Sequence, residues 1–506
     1  MKKKTCFIFA LLFCFFVEIF SQPKREMRAV WIATVANIDW PSSNRLAPRE
    51  QRIEITNMLD KLLQNNINAI ILQVRPMADA FYPSSIDPWS HWLTGKQGFA
   101  PNPFYDPLQF IIAEAHKRCM EVHAWINPYR VTMNDNLSVL SPNHLFFQKP
   151  ELFVRYGGKY YFNPGLDETR QILNNVIKEI VEHYDIDGIH FDDYFYPYPV
   201  KGEEFPDEDT FRKYPRGFAP DQKADWRRNN VDMVIAEVQQ TIKNLKPWVE
   251  FGVSPFGVWR NNNVDPRGSA TRAGIQNYDD LYADILKWLK EGNIDYVVPQ
   301  LYFEIGKKVA DYEVLLKWWC NNSYGRNLYP GLIPSSLGSK KNDAWSHGNE
   351  IIRQLRLNQQ YPQVEGAVFF SAKTFLQNRL GLNDSLKQSF YKYPAICPVN
   401  KNIVGEPSAQ PQNIRIVRDG DAAYLLWDEV EEEGGCQVAY YVVYAFKGKK
   451  VGDLNDPANI IARTTDNCLD LRALNVPLKG HYTFVVTAIN RFKQESIPTV
   501  AVTRKL

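Results

Sequence analysis

The chain has 506 residues, 23% of them charged, and a formal net charge of +2, so it is too long for one average domain and too evenly charged to imply a nucleic-acid partner or an anionic membrane surface. Aromatic residues make up 13%, with 13 Trp and 26 Tyr, enough for a large core or for faces on which a CH-rich sugar stacks. Of seven cysteines, Cys6 and Cys14 sit in the amino-terminal segment; Cys119, Cys320, Cys397, Cys436 and Cys468 lack the short regular spacing of a disulfide framework or a CxxC metal site.

Lys2, Lys3 and Lys4 precede an uninterrupted apolar run from Cys6 to Val17, and small Ser21 offers a cleavage point. The run is too short for a stop-transfer helix, so residues 1–21 read as a signal peptide that takes the chain across the inner membrane to the periplasm or beyond. Bulky Phe13 stands before Cys14 where lipid attachment wants a small residue, which argues against a lipoprotein anchor. No integral membrane segment is expected after cleavage.

From Arg28 to about Leu386, short β-branched or apolar runs alternate with helix-length amphipathic stretches. The strands are expected at Arg28 to Ala36, Ala69 to Val74, Glu121 to Ile126, Gly188 to Asp192, Phe251 to Phe256, Tyr296 to Phe303, Leu328 to Ile333 and Ala367 to Phe370. Helices near 49–65, 107–119, 168–184, 225–245, 279–290, 311–321 and 347–359 separate them. Parallel neighbours need crossover helices, so this alternation predicts an α/β fold of the (β/α)8 barrel type over residues 26–390. A doubly wound open sheet is the alternative, weakened by the lack of a glycine-rich phosphate loop after the first strand.

Several strands end in polar or aromatic residues where their βα-loops begin, the end at which a barrel builds its sites. Strand one leads to Asn37, Asp39 and Trp40, and strand two to Gln73, Arg75 and Asp79. Strand three leads to Asn127, Tyr129 and Arg130, strand five to Trp259 and Arg260, and strand six to Gln300, Tyr302 and Glu304. Strand four, Gly188-Ile189-His190-Phe191-Asp192-Asp193, delivers two adjacent carboxylates into the aromatic cluster Tyr194-Phe195-Tyr196-Pro197-Tyr198. The plain alternative is that either Asp caps a loop.

After Tyr391, prolines at 394, 398, 407 and 411 punctuate a polar stretch, read as a linker over 391–408. Residues 409–506 show period-two alternation without helix-length segments, which predicts a small all-β sandwich. Modules with separate cores are expected to survive separation. Whether Cys436 and Cys468 pair is open. Trp427, Leu474 and the run Tyr482 to Asn490 resemble an immunoglobulin-like fibronectin type III module, which implies a spacer or docking surface.

Glycoside hydrolysis needs one carboxyl to protonate the leaving oxygen and another to attack or activate water, with no cofactor or metal. Asp192, Asp193 and Glu304 are the candidates, with Asp192 as nucleophile or base, Glu304 as acid, and Asp193 as a partner whose like charge tunes the pair. Arg75, Asn127, Tyr129, Arg130, His190, Tyr194, Trp259, Tyr302 and Trp40 are the candidate substrate contacts. For Arg75 and Arg130 the alternative is a structural salt bridge, and for His190 a satisfied interior histidine.

The segments Met27 to Thr34, Gln73 to Pro76, Trp125 to Arg130, Asp187 to Pro197 and Val298 to Tyr302 together resemble the glycosyl hydrolase-like 10 family over about residues 26–390. The resemblance implies a secreted bacterial β/α barrel that hydrolyses an envelope or environmental polysaccharide, peptidoglycan glycan strands among the candidates. The Gly188 to Asp192 pattern looks like the α-amylase type, in which a nucleophilic Asp ends strand four. Where a chitinase would carry its acid, this sequence has Tyr194. The alternative function is a carbohydrate-binding or envelope-scaffold protein on a barrel without turnover. In either case the expected partner is a poly- or oligosaccharide.

Overall fold

The computed structural model describes residues 22–505 apart from residues 341, 421, 473 and 475–477, so the proposed signal peptide lies outside the described residues. The barrel strands are β1 (Met27–Ile32), β2 (Ala69–Arg75) and β3 (Glu121–Ile126), then, after a hairpin of β4 (Phe153–Tyr156) and β5 (Lys159–Phe162), β6 (Gly188–Phe191) and β7 (Glu250–Val253). They continue as β8 (Tyr296–Val297), β9 (Asn327–Leu328), β10 (Gly331–Leu332) and β11 (Gly366–Phe369). Every pair in the order β10-β11-β1-β2-β3-β6-β7-β8-β9 is parallel.

Strands β9 and β10 are two pieces of one strand broken at Tyr329-Pro330, because proline has no N–H to give the ladder. The first piece pairs with β8 and the second with β11. Gly331 N donates to Pro299 O at 2.9 Å and Leu301 N to Gly331 O at 3.0 Å, which closes the circle at eight strand positions. All residues of β1, β2, β3, β6, β7 and β11 are buried, as helix-covered parallel strands require. The helix Asp167–His183 illustrates the cover: Leu173, Val176, Ile177, Ile180 and Val181 form its buried stripe, with Asp167 and Glu168 in the first turn and His183 in the last.

Side chains alternate along each strand between this outer layer and the barrel interior. On β3, Val122, Ala124 and Ile126 pack outward beneath the helices, whereas Trp125 packs inward with Trp31, Ile71 and Tyr296. Glycines make room inside. A Cβ on Gly252 would lie 1.9 Å from the Tyr296 ring, and one on Gly188 2.4 Å from His123 Nδ1.

The carboxy-terminal segment forms two antiparallel sheets. One holds β12 (Arg415–Asp419), β13 (Ala422–Leu426) and β16 (Cys468–Asp470); the other holds β14 (Val438–Lys447), β15 (Ile460–Thr464), β17 (His481–Asn490) and β18 (Val502–Lys505). Leu425, Trp427, Val443, Phe484 and Val486 fill the space between them. Cys436 and Cys468 are both free thiols.

This all-β unit caps the amino-terminal mouth of the barrel. Lys493, in the turn after β17, is only 6% exposed and takes a left-handed φ of 61°. Its ammonium reaches Glu121 Oε2 at 2.9 Å and Glu250 Oε2 at 2.8 Å, on the first residues of β3 and β7. Within the stretch expected to be a linker, Cys397 joins the interior cluster and Asn400 Nδ2 donates to Glu250 Oε1 at 3.1 Å.

Candidate active site

At the opposite, carboxy-terminal mouth, the strand ends enclose a cleft of about 290 Å³. Its polar wall is Gln73, Arg130, Asp192, Asp193, Ser254 and Gln300, and its aromatic wall Trp31, Trp125, Tyr194, Tyr198, Tyr302 and Phe370. These residues come from the ends of β1, β2, β3, β6, β7, β8 and β11 or the loops that follow.

Asp192 continues the inward column of β6 above His190 and is 3% exposed. Its carboxylate accepts from Trp125 Nε1 at 3.0 Å, from Asn127 Nδ2 at 3.0 and 3.2 Å, and from the Tyr194 backbone N–H at 3.2 Å. Asn127 is itself fixed, because its Oδ1 accepts from Arg130 N at 2.9 Å. Asp193, one residue later, is 4% exposed and accepts from the Tyr198 hydroxyl.

The two carboxyls are held differently. Burial pushes Asp192 above the usual carboxylate range, countered by the Arg130 charge and by hydrogen bonds from Asn127, Trp125 and the Tyr194 backbone. Burial pushes Asp193 further, to about 6, with the Asp192 charge adding to it and hydrogen bonds from Tyr198 and Gln300 pulling back. One carboxylate rich in donors thus stands beside a carboxyl that holds its proton up to about pH 6, an arrangement suited to acid–base work.

Of the candidates read from the sequence, Asp192, Asp193, Arg130, Tyr194 and Tyr302 line this cleft, and Asn127 and His190 stand directly behind it. Arg130 donates from Nε and Nη2 to Pro76 O and lies 5.2 Å from the Tyr194 ring centre. His190 is fully buried, with Nε2 3.0 Å from Ser254 Oγ and Nδ1 3.1 Å from Tyr296 Oη.

Glu304 is not among the lining residues. The chain leaves the β8 ladder at Leu301, so strand alternation does not carry to 304; Glu304 instead pairs with Lys307 at 3.3 Å and accepts from Trp345 Nε1 at 3.2 Å. Arg75 is turned away by a bulge: Gln73 pairs with Trp125 but Arg75 with outward-facing Ile126, and its Nε meets Asp87 at 2.5 Å. Trp40 donates to Gln51 O beneath the first loop, Trp259 stacks on Trp318, and Tyr129 is buried in the outer layer.

Trp31, Gln73, Trp125, Tyr198, Ser254, Gln300 and Phe370 line the cleft without having been singled out as site residues. Their signal was positional: Gln73 and Gln300 stand among the polar strand-end residues, Trp31, Trp125, Ser254 and Phe370 lie at or just beyond strand ends, and Tyr198 sits in the aromatic loop after β6. Among the described residues no helix is long and apolar enough to cross a membrane.

The glycosyl hydrolase-like 10 family model matches residues 26–347. The chain is 42% identical over 487 residues to the protein named glycosyl hydrolase YngK of Bacillus subtilis (strain 168), covering 94% of this chain and 93% of that one. It is 39% identical over 394 residues to glycosyl hydrolase DigH of Escherichia coli (strain K12), covering 71% and 88%. Among solved structures, the PgaB (BpsB) glycoside hydrolase domain from Bordetella bronchiseptica superposes with a TM-score of 0.47 at 10% identity, covering 72% of this chain and 99% of that one.

Proposed function

The chain belongs to the glycosyl hydrolase-like 10 family, and from that premise we propose that it hydrolyses glycosidic bonds with Asp193 as proton donor and Asp192 as the ionised partner. The observation that carries this reading is the contrast between the two carboxyls in one aromatic cleft, Asp193 poised at about 6 and Asp192 held by Trp125, Asn127 and the Tyr194 backbone. Asp193 protonates the leaving oxygen. Asp192 supplies the negative charge that attacks, or activates water against, the oxocarbenium-like centre. Tyr194, Tyr302 and Phe370 offer faces on which a sugar ring packs.

The substrate class we propose is a polysaccharide of the bacterial envelope or surroundings, with peptidoglycan glycan strands as the leading candidate. Arg130 supports an acidic substituent on the sugar, because its positive charge stands in the cleft wall, although its Nε and Nη2 are given to Pro76 O. Lys2 to Lys4 and the apolar run over 6–17 support export to the periplasm or beyond.

Product analysis on a panel of glycans, including peptide-free peptidoglycan strands, tests the reading. The full chain is expected to release new reducing ends from one of them, and Asp192→Asn to bind that glycan while losing a thousandfold or more in rate, about 4 kcal/mol of barrier. Binding by the unaltered chain without any products would favour a carbohydrate-binding or scaffold protein instead.

A further inference from the structure

A continuous line of buried polar groups runs through the barrel from the cleft to the all-β unit beneath it. Ser254 Oγ, in the cleft wall, is 3.0 Å from His190 Nε2; His190 Nδ1 is 3.1 Å from Tyr296 Oη, which is 2.7 Å from His123 Nδ1. His123 Nε2 is 3.2 Å from Glu121 Oε2, and Lys493 Nζ lies 2.9 Å beyond that. The interior is built around this line, because glycine at 188 and 252 leaves the space that the His123 and Tyr296 rings occupy.

Hydrogen-bond chemistry gives the line a direction, set at the top and matched at the bottom. At the top, the Trp31 indole N–H, which only donates, points at His190 Nε2 at 3.3 Å, so that nitrogen is the acceptor and Nδ1 carries the proton. The His190 Nδ1–H then donates to Tyr296 Oη, the Tyr296 hydroxyl to His123 Nδ1, and the His123 Nε2–H to Glu121. At the bottom, the Lys493 ammonium between Glu121 and Glu250 keeps Glu121 an ionised acceptor, so His123 Nε2 carries a proton, and a singly protonated His123 then has Nδ1 as acceptor, in the same direction. Ser254 Oγ lies 3.0 Å from His190 Nε2 and 3.4 Å from Phe191 O; an unprotonated Nε2 is the nearer acceptor, so Ser254 gives its hydroxyl proton there, sharing the lone pair with the Trp31 N–H, and turns its own lone pairs toward the cleft.

We propose that Lys493 of the carboxy-terminal unit is a positioning residue for the cleft, acting through Glu121, His123, Tyr296 and His190 to present Ser254 as a hydrogen-bond acceptor for a substrate hydroxyl. The substrate contact alone rests on the glycosidase reading; the direction of the line does not.

Without the ammonium, two buried carboxylates face each other, and Glu121 is expected to take one proton from solvent. Its O–H then donates to His123 Nε2, His123 Nδ1–H to Tyr296, Tyr296 to His190 Nδ1, and His190 Nε2–H to Ser254, so every proton in the line shifts by one bond and Trp31 loses its acceptor.

Imidazole NMR on the full chain with 15N-labelled histidine reads the tautomers directly. The unaltered protein is expected to show His190 protonated on Nδ1 and His123 on Nε2. Lys493→Met should move His190 toward the Nε2-protonated form, and Lys493→Arg should restore the original signature. Tyr296→Phe keeps every charge and serves if Lys493→Met does not fold; it should shift the His190 Nδ1 proton upfield as the acceptor is lost. An Nε2 proton on His190 in the unaltered chain, or His190 signals indifferent to Tyr296→Phe or to a folded Lys493→Met, overturns the proposal. If no glycan is cleaved by any form but the tautomers shift as described, the glycosidase reading fails and the polar line stands. If the unaltered chain is active, Lys493→Met should lower kcat/KM about tenfold and Lys493→Arg should recover it; unchanged kcat/KM in a folded Lys493→Met removes Lys493 from the positioning role.

Discussion

Asp193 and Glu304 make opposite predictions, because one carboxyl is buried in the cleft and the other is paired outside it. Asp193→Asn should lose most turnover on glycosides with poor leaving groups and be partly spared on an activated aryl glycoside, which needs little protonation. Glu304→Gln should leave both rates near those of the unaltered chain; a selective loss on poor leaving groups would return the acid role to Glu304. The same burial sets a stability signature. Folding raises the Asp193 carboxyl from 3.8 to about 6, so its contribution to stability is complete below about 4 and is lost as pH rises through 6. Two units at ~1.4 kcal/mol each come to roughly 3 kcal/mol. Thermal melts should therefore show Asp193→Asn gaining on the unaltered chain as pH rises from 4 to 8; a gap that stays constant would mean that Asp193 is not buried as a charge. A site that costs the fold stability in this way is what catalytic groups commonly show.

At the level of single elements, the inward columns of the strands carry the chemistry. Glu121, His123, Trp125 and Asn127 follow one another on β3 and its extension; Gly188, His190 and Asp192 do so on β6, and Glu250, Gly252 and Ser254 on β7. Each column runs from the floor to the cleft with period two, and glycine appears where a neighbouring ring needs the volume. Gly252→Ala places a methyl 1.9 Å from the Tyr296 ring, and two parallel strands cannot separate without breaking their ladder. About 3 kcal/mol or more of destabilisation is expected from overpacking. Denaturant unfolding of Gly252→Ala with and without Tyr296→Ala measures it, and the second change should recover part of the loss. These columns were legible in the sequence once strand direction was assigned, since alternation alone places every other residue inside. Arg75 was not, because a bulge after Gln73 shifts the alternation by one residue.

For the whole molecule, the all-β unit and the barrel share a buried ion cluster rather than a simple tether. Ending the chain near residue 391 removes Lys493, Asn400 and Cys397 and leaves Glu121 and Glu250 without their cation. Removing one partner of a buried pair typically costs about 3–5 kcal/mol, so the shortened barrel should melt far lower or fail to stay soluble. A truncated chain that melts like the full protein would show that the two units are independent after all. The proline-punctuated stretch after Tyr391 reads as a linker in sequence because proline and polar residues mark exposed connections. Its burial depends on a surface supplied by distant segments, Glu26, Asn68 and Glu250 among them, which local composition does not register.

The sequence by itself determined the eight-strand barrel, the all-β carboxy-terminal unit and the placing of Asp192 and Asp193 at a strand end, because periodicity and crossover length are local properties. Tertiary structure alone decided which strand-end residues meet. It brought Gln73, Trp31, Ser254 and Gln300 into one cleft with the two carboxyls, and it sent Glu304 to Lys307 and Arg75 to Asp87. It also set the lysine of a distant turn beneath the barrel floor. Convergence depends on strand register, on bulges and on where each chain leaves its ladder, and these are fixed by contacts between segments rather than by the pattern within any one of them.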